Sequence, residues 1–181
     1  MTAVQIGLLL AAVLVASWMV GAYNRLVALR GGIVAAWLEL AERLHRRAEA
    51  TAALVAVLRA PLADEQGALD ALRAAQAQVS AAALALGARP AQADLAVALV
   101  AAESALNAAA SRVLALQEQH TGLRHDPAVQ LPLAAWHECT PRLAFSRQTY
   151  NKACADYNDA LALVPTRWLA RLYGFGSAGR V

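Results

Sequence analysis

Residues 4–23 read VQIGLLLAAVLVASWMVGAY, a run without a charged side chain. A helix of about 20 residues, rising about 1.5 Å per residue, matches the roughly 30 Å hydrocarbon core of a bilayer. A cleaved signal peptide is the rival interpretation, because Val20-Gly21-Ala22 has the small residues of a cleavage site. No Lys or Arg precedes the run, however, and the run is longer than a typical signal h-region. The pattern therefore favours an uncleaved transmembrane anchor over residues 1–23.

The basic residues beside this anchor predict its orientation. Arg25 and Arg30 follow the apolar run, whereas no basic residue precedes it. Segments rich in Lys and Arg tend to stay on the cytoplasmic side of a membrane. We therefore expect a single-pass protein of the cell inner (cytoplasmic) membrane, with its N-terminus outside and the remainder in the cytoplasm. The alternative places the remainder on the outer side.

Helical periodicity continues past the anchor, and no strand pattern competes with it. Gly31-Gly32 is expected to interrupt the first helix near the membrane, and Ala60-Pro61 to end it. The apolar face of this helix is formed by residues that step by four and three: Ile33, Trp37, Leu40, Leu44, Ala48, Thr51, Val55 and Leu58.

Two further helices are separated by a clear break. The second is predicted over residues 62–86, and the turn from Gly87 to Pro90 stops it and starts the third. Heptads of large and small apolar residues mark the third helix, a pattern typical of coiled-coil packing. Its heptad residues are Leu95, Leu99, Ala102, Leu106, Ala109, Val113 and Leu116.

A fourth helix follows a loop over residues 120–129. Pro141 is expected to kink this helix or to move its start to Thr140-Pro141. Four helices of similar length with short breaks predict an all-α fold. In this fold the N-terminal transmembrane helix continues into an antiparallel up-and-down four-helix bundle over residues 24–164.

Residues 165–181 begin with an amphipathic segment in which aromatic residues and leucines alternate with arginines. An even number of helices returns this segment to the membrane side, and such a composition suits a bilayer interface. The alternative is a short cap that packs on the end of the bundle. The predicted membrane-interface residues are Arg25, Arg30, Arg167, Trp168, Arg171 and Tyr173.

Polar residues on otherwise apolar stripes are the candidates for a polar network or a partner-binding site. They are Arg47, Glu49, Arg147, Tyr150, Asn151, Tyr157 and Asn158. They either satisfy one another across the bundle, or line a groove for a partner peptide or a lipid headgroup. Arg147 needs a partner if it is buried. Its expected acceptors are the Tyr150 and Asn151 side chains, a carbonyl freed by Pro141, or an acid of the first helix such as Glu49.

The sequence shows no catalytic, metal-binding or cofactor-binding constellation. His120 and His125 share a loop, but a zinc site needs three or four ligands at fixed spacing. The basic residues are dispersed, and a net charge of +3 without a basic stripe does not indicate nucleic-acid binding. Cys139 and Cys154 would lie about 22 Å apart on one helix, so they are expected to stay unpaired. We therefore expect no enzyme, no cofactor, no metal and no nucleic-acid partner.

Three stretches of the chain resemble the LemA family. They are YNRLV, AW and LHRRAE at residues 23–27, 36–37 and 44–49; RLAFSRQTYN and YN at 142–151 and 157–158; and VPTRWLARLYGF at 164–175. The resemblance implies a membrane-anchored antiparallel helical bundle, and it implies no enzyme activity. The chain departs from the family pattern at three places. Ala41 stands where the pattern has an acidic residue, Ala52-Ala53 where it has Pro-Asn, and Thr140-Pro141 where it has Glu-Asn.

These observations favour a membrane-tethered interaction or scaffold protein, because an anchor and a bundle occur without a reaction centre. The alternative is an accessory or adaptor of a membrane-bound peptidase system, acting on the substrates or the assembly of the peptidase. The expected partners are the lipid bilayer and another protein. Whether the chain also forms a homo-oligomer is left open.

Overall fold

The computed structural model describes residues 3–181, and of Ala3, Leu169, Arg171 and Leu172 it describes the backbone alone. Within this range there is no strand, which confirms the all-α prediction. The helices are α1 (Ala3–Leu58), α2 (Gln66–Ala88), α3 (Ala93–Gln119), α4 (Thr121–Arg124), α5 (Pro127–Ala162) and α6 (Thr166–Leu172). A 3₁₀ turn, Ala63–Glu65, precedes α2.

The N-terminal part of α1 lies outside the bundle. Residues 4–18 are all exposed, and Leu26 is the first buried residue of the helix. The most apolar window of α1 has a mean hydropathy of 2.1, which is consistent with a membrane anchor. Helix α3 is also long and apolar enough to cross a membrane, with a mean hydropathy of 1.4. We interpret α3 as a bundle helix, because part of that window is buried and its inner face carries the acidic residue Glu103.

Helix α1 passes through Gly31-Gly32 without a break, so the predicted interruption is wrong. Each glycine costs a helix only about 1 kcal/mol relative to alanine. The flanking residues Leu26 and Ile33 are both buried in the core, and this packing outweighs the weak local preference. The predicted end is confirmed: the helix stops at Leu58, just before Ala60-Pro61.

Helix α5 starts earlier than predicted and runs for 36 residues. Asp126 caps it by accepting a hydrogen bond from the Ala128 backbone N–H at 2.9 Å, and Pro127 occupies the first turn, where proline is tolerated. Pro132 and Pro141 lie inside the helix. The prediction that it starts at Thr140-Pro141 is therefore wrong, because the cap and the buried Val129 hold the earlier turns.

Helices α1, α2, α3 and α5 form the antiparallel up-and-down four-helix bundle. Helix α1 packs most extensively on α5, α2 packs on α3, and a smaller contact joins α1 to α2. Helices α3 and α5 approach each other less closely. Side chains therefore make much of the contact between α3 and α5.

The buried stripe of α3 follows a different frame from the predicted heptads. Its members are Ala96, Leu99, Glu103, Leu106, Ala110, Val113 and Gln117. Three predicted heptad residues, Leu99, Leu106 and Val113, belong to it, whereas the other four are partly buried and pack against the core. The shifted frame brings the polar side chain of Glu103 into the core.

Candidate functional site

An ion cluster joins three helices in the middle of the bundle. Glu103 of α3 accepts a hydrogen bond from Arg47 Nη2 of α1 at 2.9 Å through Oε1, and another from Arg147 Nη2 of α5 through Oε2. Arg47 is 6% exposed and Glu103 is 5% exposed, whereas Arg147 reaches the surface. One carboxylate thus ties α1 and α5 to α3.

The cluster carries two cations for one anion. Burial lowers the pKa of the Arg47 guanidinium, and the nearby charge of Glu103 opposes this shift. A guanidinium nevertheless stays protonated in proteins. The Nε atoms of Arg47 and Arg147 are buried, and within residues 3–181 they have no hydrogen-bond partner. The carboxylate of Glu103 therefore provides most of the compensation for the buried positive charge.

The polar layer extends from this cluster towards α2. The Thr51 hydroxyl donates to the Arg47 carbonyl oxygen at 2.8 Å and lies 3.5 Å from Gln76 Oε1. Gln76 Nε2 in turn donates to Ser80 Oγ at 3.4 Å. These contacts connect neighbouring helices and so restrict the register between them.

The partner expected for Arg147 was misassigned. Glu49 is exposed on α1 and lies 3.4 Å from His45 Nε2, away from the cluster. Glu103 of α3 is the acidic partner of Arg147 instead. A signal for it existed in the sequence, because Glu103 lies four residues after Leu99 and three before Leu106 and so shares their face.

Tyr150 fixes the loop between α2 and α3. Its hydroxyl donates to the Pro90 carbonyl oxygen at 2.6 Å, and its ring packs edge-on against Trp37 at a centroid distance of 5.8 Å. Burial raises the Tyr150 pKa, so the hydroxyl keeps its proton and acts as a donor. Tyr157, two turns further along α5, is also buried.

Asn151 and Asn158 bind the backbone of residues 175–181, which we call the tail. Asn151 Nδ2 donates to the Val181 carbonyl oxygen at 2.6 Å, and its Oδ1 accepts from the Val181 N–H at 2.8 Å. Asn158 makes the same pair of contacts with Ala178, at 2.9 and 2.8 Å. The two amides lie seven residues apart on one face of α5, so they bind residues three apart in the tail.

The tail passes against the start of α3 at Gly179. A Cβ built there would lie 2.6 Å from Ala93 Cα and 2.8 Å from Ala96 Cβ, closer than such atoms can approach. The tail therefore packs between α3 and α5.

We predict that Gly179→Val lowers the free energy of unfolding by about 1–3 kcal/mol, because the added side chain overpacks this contact. The Ala178 and Val181 amides should also exchange with solvent faster, since the tail loses its contact with the asparagines. Urea unfolding and amide hydrogen exchange measure the two effects. Gly176→Val is the matched control, because a Cβ at Gly176 meets nothing within 4 Å. Equal effects of the two substitutions would contradict the packing.

The predicted interface residues lie at the end of the bundle from which the apolar part of α1 projects. Arg25 is exposed on α1, and Arg167 and Trp168 are exposed on α6. The Arg171 side chain lies outside the described part of the chain. The ring of Tyr173 packs at a centroid distance of 5.3 Å against that of Tyr23, the last residue of the apolar run. This end thus combines packed and exposed aromatic residues.

Reactive groups do not assemble into a second site in the described part of the chain. Residues 3–181 contain no group of three potential metal ligands. Both cysteines are free thiols, and burial raises the pKa of Cys154. A buried thiol of this kind is a poor nucleophile.

Comparisons with known proteins identify the family. The chain matches none of the curated proteins. The family model described as LemA family matches residues 36–180, which is most of the chain and includes the ion cluster, the asparagines and nearly all of the tail. The chain belongs to the LemA family.

Proposed function

We propose that the chain is a membrane-tethered interaction protein that holds a protein partner close to the bilayer. The exposed apolar part of α1 supplies the anchor, and the same helix continues into the bundle core. Because α1 has no break, the position of the anchor in the bilayer also fixes the position of the bundle. A partner bound to the bundle would therefore sit at a defined height above the membrane.

The polar candidates are mostly used inside the protein. Arg47, Arg147 and Tyr150 bind other parts of the bundle, and Asn151 and Asn158 bind the tail. These contacts support a structural role for them. The partner surface in this proposal therefore lies elsewhere.

The observation that carries the proposal is an apolar groove between α1 and α2. Its volume is about 450 Å³. The groove is lined mainly by Trp37, Ala41, Leu44, Val79, Ala83, Leu84 and Gly87. Leu84 is 79% exposed at the edge of the groove, so a partner side chain can contact it there.

The groove fits one amphipathic helix of a partner protein. The small residues Ala41 and Ala83 leave room between α1 and α2, and apolar side chains at helical spacing fill such a space. Trp37 follows Tyr23 by 14 residues, which places the groove about 20 Å from the apolar run along α1. The partner helix would thus bind clear of the lipid headgroups.

Site-specific photo-crosslinking in intact cells tests this proposal. A photoreactive phenylalanine analogue replaces Leu84, and Leu131, 77% exposed at the other end of the bundle, provides the matched control. We expect residue 84 to yield one reproducible protein adduct that residue 131 does not yield. Ala83→Trp, which fills the groove, should remove that adduct.

Three results would contradict the proposal. They are the absence of a specific adduct at residue 84, the same adducts from both positions, and an adduct that contains only a second copy of the chain. The last result would make the groove a homo-oligomer interface.

A further inference from the structure

A separate cavity of about 260 Å³ lies between α1, the α2–α3 loop, α5 and the tail. Polar groups on its wall come from all of these parts: Arg30, Arg89, Gln92, Tyr157 and Ser177. The cavity contains neither the ion cluster nor the groove between α1 and α2. It therefore forms a site of its own.

The cavity carries uncompensated positive charge. Arg30 and Arg89 make no ion pair within residues 3–181, and no acidic side chain lines the wall. The charge of Arg30 acts on Tyr157, where burial raises the pKa of the hydroxyl and Arg30 opposes the increase. Both arginines are exposed and line the same cavity, so an anion bound there is attracted by both guanidinium groups.

The cavity also lies at the level of the membrane surface. Gly174 lines it, and the neighbouring rings of Tyr173 and Phe175 contact Tyr23 at 5.3 and 5.9 Å. Tyr23 is the last residue of the apolar run, so this rim lies at the edge of the hydrocarbon core. Arg30 is seven residues further along α1, about 10 Å. The headgroup layer is roughly 5–8 Å thick on each side of a bilayer, so the cavity borders it.

We propose that this cavity binds the phosphate group of an anionic phospholipid. Arg30 and Arg89 would hold the phosphate oxygens, because guanidinium groups bind phosphate through paired, charge-assisted hydrogen bonds. The Tyr157 hydroxyl, which keeps its proton, donates a further hydrogen bond. A free phosphate ion has the same chemistry, but the position of the cavity beside the headgroups favours the lipid.

The test measures phosphatidylglycerol binding to the full chain in a nonionic detergent by native mass spectrometry. In the double variant Arg30→Gln/Arg89→Gln we expect the affinity to fall about tenfold or more, since both charge-assisted contacts are lost. The control is Arg73→Gln/Arg112→Gln. It removes the same charge from two exposed arginines that make no ion pair in the described part of the chain, and it should bind as the unchanged chain does.

The outcomes separate the alternatives. Equal losses in the two double variants would overturn the proposal in favour of unspecific attraction to the basic protein. Displacement of the lipid by inorganic phosphate at comparable concentration would overturn it in favour of a free phosphate site. If the double variant loses its helical circular dichroism, Arg89→Gln alone replaces it. That single change lies in a loop, and unchanged lipid binding by it would also overturn the proposal.

Discussion

Glu103→Met is expected to lower the free energy of unfolding by about 3–5 kcal/mol, because it leaves a buried charge without a partner. Arg47 is 6% exposed, and within residues 3–181 its only side-chain ion pair is with Glu103, at 2.9 Å. Arg147 can turn towards water, since it reaches the surface, but Arg47 cannot. Urea unfolding of the full chain in detergent micelles, followed by far-UV circular dichroism, measures the loss.

Two further variants make this prediction specific. Glu118→Met is the matched control, because Glu118 is exposed on the same helix, and it should change stability by less than about 0.5 kcal/mol. Adding Arg47→Met to the Glu103→Met variant should recover much of the loss, since buried ion pairs can be replaced by apolar residues at little cost. A mild effect of Glu103→Met, or no recovery in the double variant, would contradict the assigned cluster.

Leu106→Ala should lower the free energy of unfolding by about 2–5 kcal/mol, because it leaves a cavity in the core. Leu106 is fully buried on α3, at 0% exposure and one turn from Glu103. The same unfolding measurement applies. Val97→Ala on the exposed face of α3 is the control, and it should have an effect of less than about 1 kcal/mol. Similar effects of both changes would contradict the orientation of α3.

Much of the fold follows from the three-four spacing of apolar residues. This spacing predicted the helices, and the prolines and glycines at Ala60-Pro61 and Gly87 to Pro90 predicted where α1 and α2 end. The prediction failed where a local signal opposed tertiary packing. Gly31-Gly32 and Pro141 weaken a helix when considered alone, but the buried residues on either side of them keep α1 and α5 continuous.

The candidate site was only partly predictable. Arg47 and Arg147 stand out because each is a cation on an apolar stripe. Glu103 did not, because the predicted heptads of α3 contain only apolar residues, whereas the stripe that is buried also contains Glu103 and Gln117. The sequence also could not predict which residues Asn151 and Asn158 bind. Each amide binds the backbone of the tail, and such contacts leave no pattern in the side chains.

We propose that α1 serves both as membrane anchor and as core helix of the bundle. Nitroxide labels at Leu14 and Leu38 test it most directly in a reconstituted, otherwise cysteine-free chain, because both residues are exposed on α1, at 71% and 65%. Paramagnetic relaxation should show that the label at residue 14 collides with oxygen and not with a water-soluble nickel complex. The label at residue 38 should show the reverse. Free access of the nickel complex to both labels would contradict the claim.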